Sequence, residues 1–190
     1  MEYQRSPGGI LLPKSPPAGL LAGDALRVMI EGRGKYTGQI IRSGRTIDEF
    51  ECKNLVVNQG LNDLLNCYFN AGGQTPNWYL GIFQGNYTPV ASDTASVIAA
   101  NSTECSSYTS ATRPQWQQAA PSAQSITNSA NRATFTFNNS QTIYGAFLIS
   151  NSTIGGTSGT LFSAAQFSAS KNVVSADQLL LTYPFNASSA

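Results

Sequence analysis

The 190-residue sequence predicts an all-β protein with one short helix, built as a β-sandwich or jelly roll with an extended N-terminal arm. Short apolar or alternating segments recur along most of the chain, and turns rich in Gly, Asn and Ser separate them. One segment, residues 58–70, has the apolar period of an amphipathic helix instead. The N-terminal residues are rich in proline and fit neither pattern.

Residues 1–23 are predicted to form the arm, and residues 24–190 the β-sandwich or jelly-roll body. The arm contains four prolines, which disfavour helix, and two groups of aliphatic residues that are separated by prolines. Semi-rigid extended segments with apolar anchors bind grooves on partners at low entropic cost. We therefore expect the arm to dock on a partner, and the alternative is a disordered tail. The expected anchors are Ile10, Leu11, Leu12, Leu20 and Leu21.

The first part of the body is predicted to be a β-meander or a pair of hairpins. Apolar residues alternate with polar ones over 26–31, which indicates a half-buried strand. Residues 36–42 and 47–57 are the next two predicted strands. The predicted turns are Gly32-Arg33-Gly34 and Ser43-Gly44-Arg45.

The predicted helix at 58–70 has a single apolar stripe at positions i, i+3, i+4, i+7 and i+8. We expect this stripe to pack on the body. Asn58 is placed to cap the start of the helix, and Gly72-Gly73 to end it. The stripe consists of Leu61, Leu64, Leu65, Tyr68 and Phe69.

The rest of the chain is predicted to be short strands. Residues 142–150 are nearly all apolar, so this strand should be central and covered on both faces. Asp93 is placed to cap a brief helix, and the strand patterns at 104–109 and 113–118 are weaker. The other predicted strands are 78–83, 132–137, 161–167 and 178–185.

Charge is sparse and unevenly distributed. Charged residues make up 11% of the chain, against about 25% in a typical soluble domain. Residues 1–55 hold 14 of the 21 charged residues, and the formal net charge is +1. Direct binding to nucleic acid, which depends on clustered Lys and Arg, is not expected. A surface of small uncharged polar groups is easily desolvated and suits a permanent contact. The alternative is an ordinary secreted or extracytoplasmic β-domain.

The composition excludes much enzyme chemistry. The chain has no histidine, which excludes Ser–His and Cys–His catalytic pairs and His-containing metal sites. The cysteines Cys52, Cys67 and Cys105 form no C-x-x-C pair, so we expect reduced, mostly buried thiols and a reducing cytoplasm. No apolar run is long enough to span a membrane. We expect no catalytic residues, metal or cofactor.

Three features of the sequence are candidate functional sites. The carboxylates Asp48, Glu49 and Glu51 could serve acid–base chemistry, but a solvated strand face explains them better. The glycines of residues 32–38 superficially match a phosphate loop, but no helix follows them. Trp78 and Trp116 could stack on sugars if exposed, and otherwise belong to the core.

Several stretches from Asn54 onward resemble virion structural proteins of tailed bacteriophages. They are NLVVNQGLN, WYLGIF, GNYTPV, GAFL and GTSGTL. In size and class the chain is similar to the capsid cement or decoration proteins of short-tailed phages. The resemblance implies a non-enzymatic protein of the phage particle, assembled in the host cytoplasm, that binds and stabilises the head. Its implied partners are the major capsid protein or other virion proteins, and further copies of itself in a dimer or trimer. The alternative is a tail or tail-fibre component or receptor-binding module.

Overall fold

A computed structural model describes residues 3–5, 11–13 and 31–188. Contacts divide the chain into two units, one of which is Gly32–Ser188. The described part of the other unit is an antiparallel pair formed by β1 (Tyr3–Arg5) and β2 (Leu11–Pro13). Tyr3 is opposite Pro13, and Arg5 is opposite Leu11.

The larger unit is mostly β and contains two antiparallel sheets and two short helices. Its elements, in chain order, are β3 (Glu31–Arg42), β4 (Arg45–Lys53), β5 (Leu55–Val56), α1 (Asn58–Phe69), β6 (Tyr79–Phe83), α2 (Ala95–Ser102), β7 (Ser125–Ile126), β8 (Ala133–Thr136), β9 (Gln141–Ile149), β10 (Leu161–Val173), β11 (Gln178–Thr182) and β12 (Phe185–Ser188).

The strands form a large and a small sheet. The small sheet has the order β5-β10-β9-β6, and the large sheet has the order β7-β12-β3-β11-β8, with β4 also paired to β3. The β3–β4 hairpin turns at Ser43 and Gly44, whose φ angles of 49° and 75° fit a two-residue hairpin loop. The turn predicted at 43–45 is therefore confirmed.

The core lies between the two sheets. Side chains from β6, β9 and β10 of the small sheet meet side chains from β3, β8 and β11 of the large sheet in one buried cluster. Tyr36 of β3 connects the sheets, because its hydroxyl lies 2.8 Å from the Ser163 hydroxyl of β10. Leu179 and Leu181 are fully buried and alternate with half-buried neighbours on β11, as expected for a strand with one face on a core.

The small sheet is covered on its second face as well. A separate apolar cluster joins Ala95 and Ile98 of α2 to Phe83 of β6, Phe147 of β9 and Leu161 of β10. The predicted strand at 142–150 corresponds to β9, which lies between β10 and β6 and has buried residues on both faces. Its predicted central position is confirmed.

Other predictions about the elements were wrong. The turn expected at 32–34 is absent, because β3 runs through these residues without a break. Gly34 serves close packing there, since a Cβ on it would lie 2.6 Å from the Tyr183 hydroxyl. The expected strands at 104–109 and 113–118 make only isolated bridges, through Glu104, Tyr108 and Gln115. The predicted strand residues 26–30 lie outside the described residues.

The brief helix predicted after Asp93 is present as α2, so the body has two short helices and not the one of the predicted fold class. Its N-cap is Thr94, whose hydroxyl accepts a hydrogen bond from Val97 N at 3.4 Å. Asp93, the expected cap, is buried and accepts hydrogen bonds from the Tyr87 hydroxyl and from Val90 N instead. Within the described ranges, no helix has the length and apolar character needed to cross a membrane.

Candidate assembly surface

Helix α1 presents its apolar stripe to solvent. The structure confirms a helix at Asn58–Phe69, but the expectation that its stripe packs on the body is wrong. Tyr68 is 83% exposed, Phe69 is 72% exposed and Leu65 is 55% exposed. Leu61 and Leu64 are exposed as well. We call these five residues the outward face of α1.

The opposite side of α1 lies on the body. Gly60, Asp63 and Cys67 are spaced at i, i+3 and i+7, and they are buried or half-buried, whereas most other residues of the helix are exposed. Gly60 lets the helix backbone lie directly on β10, because a Cβ at this position would overlap the Phe162 carbonyl oxygen and lie 2.8 Å from its Cα. Small and polar residues therefore fill the contact that apolar residues were expected to make.

Hydrogen bonds hold the start of α1 in this orientation. Asn58 N donates to the Ala91 carbonyl at 2.8 Å, and Val57 N donates to the Phe162 carbonyl at 3.1 Å. The Gln59 side chain accepts from Leu161 N at 2.8 Å. Val57, and not Asn58, is the N-cap, and it makes no side-chain cap bond. Turning the outward face toward the body would break these bonds.

The helix ends before the predicted glycines. Asn70 is the C-cap, and its N–H and that of Gly72 both donate to the Asn66 carbonyl, at 3.2 and 2.9 Å. Ala71 between them has a φ of 50°, which reverses the chain direction. The stop expected at Gly72-Gly73 therefore falls three residues beyond the last helical residue, Phe69.

A mainly apolar groove of about 210 Å³ lies between α1 and the body. Cys67 lines it from the helix, together with Leu64, which is the least exposed residue of the outward face. Trp78, Trp116 and Phe162 line it from the body. Trp116 is only 6% exposed, and its Nε1 donates to the Tyr183 carbonyl at 3.0 Å. Trp78 is half-buried and edge-on to Phe162. The two tryptophans therefore belong to the core and the groove wall, and neither is a free platform for sugars.

Asp63, the one charged residue of α1, is partly desolvated at the groove. Asp63 lines the groove, and partial burial raises the pKa of its carboxyl above the ordinary value. Cys67 on the same side donates a weak hydrogen bond from Sγ to the Gly73 carbonyl at 3.5 Å. The outward face itself consists of three leucines and two aromatic residues and has no charged side chain.

Residues 56–190 contain only seven charged residues, and most of these make contacts within the body. Asp177 receives two hydrogen bonds from Arg42, at 2.8 and 2.7 Å, and the guanidinium lowers the pKa of this carboxyl. Lys171 pairs with Asp48 at 2.9 Å and lies over the Phe50 ring. These contacts hold strands together, and in each pair the opposite charges neutralise each other.

Glu104 and Arg113 form a buried ion pair that clamps the β9–β10 loop. Arg113 is 1% exposed, and its Nε and Nη2 each donate to the Glu104 carboxylate at 2.7 Å. Its Nη1 donates to the Asn151 carbonyl at 2.7 Å, and Gly155 N donates to Glu104 at 2.6 Å. The clamped loop leads into Leu161, whose N–H bonds to Gln59 of α1. The ion pair thus supports the position of α1 indirectly.

The candidate catalytic carboxylates are each paired on the sheet surface. Glu51 pairs with Lys35 at 2.7 Å, and this contact lowers the pKa of the Glu51 carboxyl. Glu49 accepts from the Gln39 side chain at 2.7 Å. A general acid needs the opposite shift, which an apolar pocket provides. Within the described residues, no cluster of three or more His, Cys, Asp or Glu could hold a metal ion.

The three cysteines are free thiols, as expected, but only Cys105 is fully buried. Burial raises the pKa of the Cys105 thiol, chiefly through desolvation. Cys52 is half-buried and its Sγ donates to the Gln166 carbonyl at 2.8 Å. Cys67 is half-buried beside the groove. The three thiols form no disulfide, and each packs at a different place in the body.

Two of the five predicted arm anchors, Leu11 and Leu12, lie in β2. Ile10, Leu20 and Leu21 are outside the described residues, so docking of the arm stays a prediction.

The surface that sequence reasoning missed is the outward face of α1. The apolar period of α1 was visible in the sequence. The signal for the orientation of the helix was the side formed by Gly60, Asp63 and Cys67, which can contact a neighbouring backbone closely. No protein-family model matches the chain, and no curated protein matches it significantly.

Proposed function

We propose that the chain is a non-enzymatic structural protein of a phage particle, most specifically a cement or decoration protein that binds and stabilises the head. The observation that carries this proposal is the outward face of α1, an apolar surface that fixed backbone contacts prevent from turning inward. Exposed apolar patches of this kind mark interaction sites. The resemblance to virion proteins supplies the class of assembly.

The electrostatics also support a permanent contact. Residues 56–190 hold only seven of the 21 charged residues, and three ion pairs engage four of these seven, so the surface of this part of the body consists largely of Ser, Thr, Asn, Gln and apolar groups. Little charge must be desolvated when such a surface is covered. Glu49 and Glu51 line a groove of mixed polar and apolar character, and Lys35 lowers the pKa of the Glu51 carboxyl, which is opposite to the shift that a general acid requires. These features favour a binding role over an enzymatic one.

The proposal assigns different roles to the arm and the body, and it specifies the fold of the body further. The arm, residues 1–23, binds the major capsid protein or a neighbouring virion protein, and the body supplies additional contact area. The two sheets form a jelly roll in this proposal. The chain passes from one sheet to the other after β4, β6, β8 and β10, a connectivity that is consistent with such a sandwich.

Copy number in purified particles tests the proposal. A cement protein is expected in copies comparable to those of the major capsid protein, as measured by quantitative mass spectrometry of intact virions. A few copies per particle would support the tail or tail-fibre alternative, and absence from particles would refute a virion role.

Deletion of residues 1–23 tests the arm. The truncated body should keep its secondary structure by circular dichroism but no longer join particles that lack the protein. Full decoration by the truncated protein would contradict the role of the arm. A second variant replaces Ile10, Leu11 and Leu12 with serine in the full-length chain, which removes apolar anchors without shortening the arm, and it should also fail to join particles.

A further inference from the structure

We propose that the outward face of α1 is a homotypic contact, in which α1 of one copy packs against α1 of a second copy of this chain. This inference rests on the proposed role in a permanent assembly, and it names one partner and the surface that binds it. The residues that form the contact are Leu61, Leu64, Leu65, Tyr68 and Phe69.

The exposed area fits a stable self-contact. The exposed fractions of these five side chains run from 40% for Leu64 to 83% for Tyr68. At about 200 Å² for a fully exposed side chain of this size, they leave on the order of 600 Å² of surface open on each copy. Two such faces total about 1,200 Å², the lower end of the range for stable, specific protein interfaces.

The absence of charge favours a second copy as the occupant. Between Lys53 and Asp93 the sequence has a single charged residue, Asp63, and it lies on the body-facing side of α1. In a symmetric contact the same surface meets itself, so charged residues on it would repel their own counterparts. A face of leucines and aromatic residues avoids this repulsion.

The geometry of α1 also favours a helix–helix contact. The apolar positions i, i+3, i+4, i+7 and i+8 form a face wider than the narrow seam of a two-stranded coiled coil. Such a width suits contact with a neighbouring helix and with residues beside it.

Light scattering coupled to size-exclusion chromatography tests the contact on the full-length protein, over about 1–100 µM chain. The wild-type protein should elute as a dimer, because a surface that meets itself closes with two copies. Leu65→Asp should raise the dissociation constant by about 1,000-fold, since each copy loses a central apolar contact. Ile47→Asp is the matched control, because Ile47 is a similarly exposed aliphatic residue on β4, and its oligomer should be unchanged.

A second variant, Tyr68→Lys, changes the same face at another position, so the test does not depend on the folding of Leu65→Asp alone. Circular dichroism checks that both variants keep the wild-type fold. A monomeric wild-type protein would overturn the proposal, as would equal effects of Leu65→Asp and Ile47→Asp. Association that appears only after deletion of residues 1–23 would also overturn it, by showing that the chain's own arm covers the face. Copy number in virions is independent of this result, so a failed contact and a failed virion role are distinguishable.

Discussion

Replacing Arg113 with methionine should destabilise the body strongly, because it removes one partner of a buried ion pair. The side chains of Arg113 and Glu104 are 1% and 4% exposed, and two hydrogen bonds of 2.7 Å join them. Methionine keeps much of the aliphatic volume but leaves the carboxylate buried without its cation. Loss of one partner from such a pair typically costs about 3–5 kcal/mol.

The structure places the expected cost near the lower end of that range. Gly155 N still donates to Glu104 in the variant, so the carboxylate keeps one hydrogen bond. The Asn151 carbonyl loses its donor from Arg113, which adds to the cost. We expect the free energy of unfolding to fall by about 3 kcal/mol, which corresponds to a Tm lower by about 6–12 °C for a chain of this size. The double variant Glu104→Leu/Arg113→Met should recover most of this loss, because it leaves no buried charge.

Urea unfolding followed by tryptophan fluorescence measures these differences, since Trp116 is buried and Trp78 is half-buried in the native state. Arg132→Met is the matched control, because Arg132 is an exposed arginine, and it should change stability by less than about 0.5 kcal/mol. The reasoning would be refuted if Arg113→Met cost less than about 1 kcal/mol, or if the double variant were no more stable than the single one.

Three further outcomes are expected. Gly60→Ala should lower stability by about 1 kcal/mol in urea unfolding, because overlap with the Phe162 backbone outweighs the gain in helix propensity, and a stabilised variant would contradict the close approach. Arg42 lowers the pKa of Asp177 in the folded state. The ionised Asp177 therefore stabilises the fold above its unfolded-state pKa of about 4, and this contribution is lost as the pH falls through the folded-state pKa. Asp177→Asn should therefore flatten the acid side of a Tm-against-pH profile, and a profile that still matches the wild type would count against this role. The Cys105 thiol should react with a maleimide only as fast as the protein unfolds, and rapid labelling of Cys105 in the native protein, located by mass spectrometry, would contradict its burial.

The β architecture was predictable because its signals are local. The apolar run at 142–150 implied a strand covered on both faces, and β9 is such a strand. The turn at Ser43 and Gly44 depends on backbone angles that turn residues favour in any context. The predicted turn at 32–34 failed because Gly34 is required by packing against Tyr183, and that contact joins residues distant in sequence.

The orientation of α1 was not predictable from its period. A 3.6-residue pattern shows that a helix has an apolar face, but it does not say whether that face meets its own body or another molecule. The body-facing side is set by the fit of Gly60 on β10 and by the Gln59 bond to Leu161, both of which depend on tertiary structure. The Glu104–Arg113 clamp was hidden for the same reason, because side chains nine residues apart gave no periodic signal.

Hydroxyl-radical footprinting of Tyr68 and Phe69 tests most directly whether the outward face of α1 is covered in the assembled protein. Mass spectrometry would compare their oxidation in the wild-type assembly with that in the Leu65→Asp monomer, with the buried Tyr36 as the internal reference. We predict strong protection of Tyr68 and Phe69 in the assembly and full reactivity in the monomer, where they are 83% and 72% exposed. Equal oxidation of both residues in the two samples would contradict the account.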